Sequence, residues 1–152
     1  MVPMNDLPVA EYRALAEFRF QIRRFLQFSE AQARAYGLEP QQHQLLLAVR
    51  GLPEGKIATI GELAERLRLK HHSTVELVNR LETLGAVSRG KNEADRRKVT
   101  VQLTRAGSIL LRKLSLAHRH ELETTGPELI RALRVVLRAR NPLGSGKRGA
   151  SE

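Results

Sequence analysis

From Pro8 to Tyr36 the apolar residues Leu15, Phe18, Ile22, Phe25 and Tyr36 recur at steps that keep them on one helical face. Gly37 marks where that helix stops, and Pro40 sits where a second one opens. The second helix carries Leu45, Leu46, Leu47 and Val49 and runs to Gly51; LPEGKIA then reads as a loop holding one short extended piece. Thr59-x-x-Glu62 has the form of a capping box, and Leu63, Ala64 and Leu67 follow as the buried stripe of a third helix. After a short break at 68–71, Thr74, Leu77, Val78, Leu81 and Leu84 make the stripe of a fourth, which ends at Leu84-Gly85. The period then changes from helix to strand. AVSR, the polar run GKNEADRRK and VTVQL, with Val99, Val101 and Leu103 alternating, predict a β-hairpin with a long charged tip. The pattern turns helical again from Thr104 to about Arg140, through Ile109, Leu110, Leu114 and Ala117. A break is expected at Gly126-Pro127, with Leu129, Ala132, Leu133, Val136 and Leu137 completing the second half.

The expected fold is therefore mainly α with a small β-hairpin wing. Helix, tight break, helix and hairpin follow one another in the order of a winged helix-turn-helix, over residues 38–104. Helices at 1–37 and 105–140 flank it, and the Gly/Ser-rich tail 141–152 is expected to be disordered.

Composition narrows what such a fold does. The 152 residues suit one domain or two small ones, and the absence of cysteine removes both disulfides and thiol redox chemistry. Charges interrupt every apolar run well short of the roughly 20 residues a membrane helix needs. Asn5, Asp6 and Glu11 stand where a secretory leader is basic and then apolar, so the expected location is the cytoplasm, in association with the nucleoid. The net charge of +10 is unevenly spread. Residues 1–55 hold six basic and six acidic side chains, residues 56–105 eleven and six, and residues 106–152 nine and four. A neutral beginning and a basic remainder point to a polyanion as partner for part of the molecule.

With 74, 77, 78, 81 and 84 turned inward, the fourth helix presents His72, Ser73, Val75, Glu76, Asn79 and Arg80 outward, and His71, in the break before it, is expected to join His72 in contacting phosphate. Imidazole, hydroxyl, amide and guanidinium groups bond base edges or phosphates, and Val75 suits a thymine methyl. Lys91, Arg96 and Arg97 put cations on the hairpin tip, within reach of flanking phosphates or a minor groove.

The stretches IGELAERL, VELVNRLETLGAVSR and DRRKVTVQLTRAG together resemble the MarR family of winged-helix transcription regulators, and GLEPQQHQLLLAV is similar to that family's second helix. Asp95, Arg97, Leu103, Thr104 and Gly107 fall on its wing signature. The resemblance implies a homodimer joined by its terminal helices, double-stranded DNA as partner, and repression or activation relieved by a small aromatic or phenolic acid. It implies that Arg97 enters the minor groove and that Asp95 orients it through a charge-assisted hydrogen bond. Two departures stand out: Lys70-His71-His72 replace small or capping residues, and Glu76 replaces a base-contacting arginine. Ser73-x-x-Glu76 also has capping-box form and would start the helix later; the earlier start keeps the helix long enough to cross a groove.

Blander readings apply to several of these residues. The charged hairpin also suits a winged-helix protein-interaction module or an effector-independent architectural DNA binder, and Asp95–Arg97 also reads as a surface ion pair. His118, His120 and Glu121 do not converge on a metal, because positions two apart on a helix diverge. His43 lies where an effector would sit in the family, although a satisfied, half-buried histidine is the plainer expectation. No nucleophile–base set, phosphate loop or acid pair is present, so neither an enzyme, a metal nor a cofactor is expected.

Overall fold

Among the described residues, five helices and one hairpin form, in the order the periodicity predicts. A computed structural model describes residues 7–139: α1 (Val9–Ala35), α2 (Pro40–Arg50), α3 (Ile60–Leu67), α4 (His71–Thr83), β1 (Val87–Lys91), β2 (Val99–Leu103) and α5 (Arg105–Ala139). The expected tail at 141–152 lies outside the described residues. Helix ends follow local chemistry. At the end of α1, Gly37 adopts φ 78° and lets the Leu38 N–H reach back to the Ala33 carbonyl at 2.9 Å. Pro40 occupies the first turn of α2, and the Gln42 side chain accepts from the Glu39 N–H at 2.8 Å. Thr59 caps α3 by accepting from the Glu62 N–H at 3.2 Å. The reciprocal half of that expected capping box does not form. The Glu62 carboxylate is drawn instead to Arg66 at 3.3 Å and Lys56 at 3.7 Å, and the Thr59 N–H donates to the Ile57 carbonyl.

One expected break is absent: α5 runs unbroken through Pro127. A proline removes one backbone donor at a cost of about 3 kcal/mol, which the hydrogen-bonded turns on either side of a long helix outweigh. The apolar stripes are also narrower than expected. Leu84 is 56 % exposed, beyond the last turn of α4, and Leu47, Val99, Leu15, Tyr36, Ile109, Leu133 and Leu137 are exposed as well. On β2 Thr100 is buried next to Val101, because the extended piece at Thr59 pairs with Thr100 and covers it.

The described residues divide into two compact units, one of residues up to Phe28 with those from Arg119 onward, the other Ser29–His118. The second unit takes in the end of α1 and the start of α5 as well as the winged helix. Its core joins Ala33, Leu38, Leu45, Leu46, Leu63, Leu77, Val78, Leu81, Val87, Val101, Leu111 and Leu114. The hairpin pairs Val87 with Leu103 and Lys91 with Val99 in antiparallel register. Its inner edge is fixed by the Val101 N–H, which donates to the Ala58 carbonyl at 2.8 Å.

His43 sits inside this core, 3 % exposed, rather than half-buried. Its ring lies 4.8 Å from that of His118, and its Nδ1 has no hydrogen-bond partner. His118 is held differently. Its Nδ1 lies 2.6 Å from the Leu114 carbonyl and therefore carries the proton, and its Nε2 lies 2.7 Å from the Ser29 hydroxyl. Burial, and then the nearby His118, lower the His43 pKa from 6.5. A base whose native pKa is lowered takes up its proton more readily in the unfolded chain. The native state therefore keeps its full stability above pH 6.5 and loses some as pH falls below that value. Urea midpoints measured from pH 8 to pH 5 should fall less steeply in His43→Phe than in the wild type; parallel curves would remove His43 from the acid response.

Candidate nucleic-acid interface

The turn between α3 and α4 is tight because Arg68 takes a left-handed conformation (φ 55°, ψ 39°) and the Leu69 N–H closes on the Ala64 carbonyl at 2.9 Å. Helix α4 then begins at His71, the earlier of the two starts, so Ser73 and Glu76 fall inside it rather than at a cap. Lys70 precedes it and gives no side-chain cap, which leaves first-turn N–H groups at the positive end of the helix dipole without one. Thr74, Leu77, Val78 and Leu81 are buried, and the Thr74 hydroxyl donates to the Lys70 carbonyl at 3.1 Å. The opposite face carries His71, His72, Glu76, Asn79 and Arg80, all exposed, with Ser73 and Val75 half-buried at its margins. All six residues expected on the outward face of α4, and His71 before them, thus lie off its core stripe.

The hairpin tip is ordered by two side chains that fold back on their own backbone. Asn92 accepts from the Ala94 N–H at 2.8 Å, and Asp95 accepts from the Arg97 N–H at 3.1 Å. The same Asp95 oxygen also accepts from Arg97 Nε at 3.4 Å. Arg97 is thereby fixed at its root while its side chain remains 93 % exposed. Lys91 and Arg96 are exposed beside it, so the tip presents cations to solvent around a single ordered arginine.

One side chain in this region escaped the sequence reading. Arg89, on β1, donates to Glu82 at 2.9 Å and to the Asn79 side-chain oxygen, tying the hairpin to the outer face of α4. Its partners are seven and ten residues away on another element, a separation at which periodicity carries no information. The amide of Asn79 is thus oriented with its oxygen toward Arg89. Arg89→Ala should lower stability by only about 0.5–1 kcal/mol, since the pair is largely solvated. It should also speed amide hydrogen exchange in β1; unchanged exchange there would show that the brace holds nothing.

The hairpin base is joined to α4 and α5 through Thr104. Its N–H donates to the Ala86 carbonyl at 3.1 Å, its hydroxyl donates to the Gly85 carbonyl at 2.6 Å, and its oxygen accepts from the Gly107 N–H at 3.0 Å. Gly107 lies so close to this junction that a Cβ there would stand 1.9 Å from the Ala86 oxygen. The Leu-Thr-x-x-Gly pattern is therefore a packing requirement.

A sequence model described as the MarR family matches residues 36–98, from the end of α1 to the wing tip. The winged helix of this chain is thus similar to that of the MarR family. The chain is also similar to an uncharacterized HTH-type transcriptional regulator, YcgE, of Bacillus subtilis (strain 168). The two are 36% identical over 101 residues, 66% of this chain and 64% of that protein. The match thus spans less than two thirds of the relative's length. Among solved structures, AbsC, a MarR family transcriptional regulator from Streptomyces coelicolor, superposes with TM-score 0.70 at 21% identity. That match covers 92% of this chain and 95% of that one. A MarR family protein from Bacillus stearothermophilus gives TM-score 0.63 at 25% identity, over 86% and 90% of the two chains. The MarR-family fold thus extends beyond the winged helix into the flanking helices.

The remaining two histidines lie on α5. His118 is engaged by Leu114 and Ser29, and His120 lies 3.9 Å from Glu123 on an exposed stretch of α5. No group of three or more histidine, cysteine or acidic side chains is gathered to hold a metal among the described residues. No described helix is long and apolar enough to cross a membrane.

Proposed function

We propose that this protein is a sequence-specific DNA-binding transcription regulator, acting as a homodimeric repressor on a palindromic operator. The observation that carries the reading is the pairing of α4, whose outward face is rich in hydrogen-bonding groups, with a wing tip that holds Arg97 at its root and exposes its guanidinium. In this reading His71, His72, Ser73, Val75, Glu76, Asn79 and Arg80 meet the major groove or its phosphates. Lys91, Arg96 and Arg97 meet the flanking backbone and minor groove, and Asp95 positions Arg97. The DNA partner is supported by a protein of the same fold, a Staphylococcus aureus MepR mutant solved bound to an oligodeoxyribonucleotide.

The dimer is supported by the first unit taken alone. Val9, Tyr12, Leu15, Phe20 and Leu26 on α1 are exposed, as are Leu122, Ile130, Leu133, Val135 and Leu137 on α5. So many large apolar side chains on one small unit call for a covering surface, and a second copy of the same helices supplies one. Release by a small aromatic acid is supported by Bordetella bronchiseptica BpsR, of the same fold, whose DNA binding is described as regulated by 6-hydroxynicotinic acid. A ligand contacting His43 would have to open the core that buries it.

Selection from random duplexes, followed by footprinting, tests the reading. Two half-sites related by a dyad, with centres about 10 base pairs apart, are expected. A single-lobed footprint without a dyad overturns the dimeric operator, and failure to shift any duplex at moderate salt overturns DNA binding itself.

A further inference from the structure

The start of α5 and the end of α2 carry a cluster of cations that the DNA reading does not use. Arg105, Ser108, Ile109 and Arg112 stand at positions i, i+3, i+4 and i+7 of α5 and so share one face over its first two turns. Arg50, in the last turn of α2, closes that face and reaches the Ser108 hydroxyl at 3.5 Å. Together with Leu111 these residues line a concavity of about 380 Å³. None of the three arginines has an ion-pair partner among the described residues, and no acidic side chain lines the cavity. Ile109 is 48 % exposed in the same place. The cluster follows directly on the base of β2, four residues along the strand from the tip-side end at Val99. At about 3.3 Å per residue that strand spans on the order of 13 Å.

We infer that this concavity is a binding site for a small organic anion with a phosphate or carboxylate head and a short apolar body. Three guanidiniums facing one space repel one another, and a bound anion relieves that repulsion through forked, charge-assisted hydrogen bonds. Ser108 adds a hydroxyl to the head-group side. Ile109 offers the apolar body a surface that water covers in its absence. An extended DNA backbone fits the arrangement less well, because a phosphodiester has no apolar body to place against Ile109. The inference stands on this cavity alone and is independent of operator binding.

The test titrates ¹⁵N-labelled full-length protein, without DNA, with hexyl phosphate, hexanoate, hexanol and inorganic phosphate. Amide shifts at Arg50, Ser108, Ile109 and Arg112 are expected with hexyl phosphate or hexanoate, and whichever binds more tightly identifies the head group. Hexanol and inorganic phosphate are each expected to bind at least tenfold more weakly. Arg105→Gln with Arg112→Gln should weaken the preferred ligand by tenfold or more while the melting temperature stays within a few degrees. Equal binding of inorganic phosphate, equal binding of hexanol, or shifts confined to other residues would each overturn the inference. So would a non-cognate duplex that shifts these amides when the small anions do not.

Discussion

Gly107→Ala should be the most damaging small substitution in the winged helix, lowering stability by about 3 kcal/mol or more. The added methyl would stand 1.9 Å from the Ala86 oxygen and 2.8 Å from its carbon, both backbone atoms that no rotamer change moves aside. Relief requires α5 to shift away from the turn after α4. That shift strains the Thr104 N–H bond to Ala86 and the Thr104 hydroxyl bond to Gly85. Gly61→Ala is the matched control, since it also adds a methyl in the first turn of a helix but meets nothing within 4 Å. It should leave stability unchanged or raise it by up to about 1 kcal/mol, through the better helix propensity of alanine. Urea unfolding with a constant slope measures both. A loss under about 1 kcal/mol in Gly107→Ala would mean that the junction yields easily and that the glycine is not a packing requirement.

Arg97→Ala should weaken operator binding by roughly tenfold, which corresponds to about 1.4 kcal/mol. It should also reduce the dependence of log affinity on log salt by about one, as expected for one lost phosphate-neutralising charge. Stability should barely change, because the side chain is 93 % exposed and its ion pair is solvated. Asp95→Ala separates positioning from simple charge. Deleting an acid near DNA strengthens binding if only electrostatics matter. If Asp95 holds Arg97 through its bonds to N–H and Nε, the same deletion weakens binding despite the gain in positive charge. Tighter binding by Asp95→Ala would leave Arg97 in contact with DNA but remove Asp95 as its organiser.

Much of the fold was legible because each element announces itself locally. The stripe Thr74–Leu77–Val78–Leu81, the turn glycines and the alternation of β2 need no knowledge of distant residues. The outward face of α4 could be read for the same reason, as the complement of its buried stripe. Legibility ended where partners lie far apart in the chain. His43 and His118 are 75 positions apart, so neither the core ring contact nor the unpartnered Nδ1 could be foreseen. Arg89 likewise reads as one more cation on a basic hairpin until Asn79 and Glu82 are seen to receive it. The Thr59 box and the Pro127 break failed for another reason. In each a local preference was real but weaker than what surrounded it, two cations around Glu62 in one case and a long continuous helix in the other.

The Arg89 brace and the Thr104 junction bear on how such a protein could be re-engineered or diversify. Exchanging α4 alone for that of another regulator would leave Arg89 facing foreign residues at 79 and 82, and would change the turn that Thr104 and Gly107 grip. The smallest transplantable cassette is therefore residues 71–107, helix, hairpin and the first turn of α5 together. Binding preferences in descendants of this chain should drift by paired changes across positions 79, 82 and 89 sooner than by single ones.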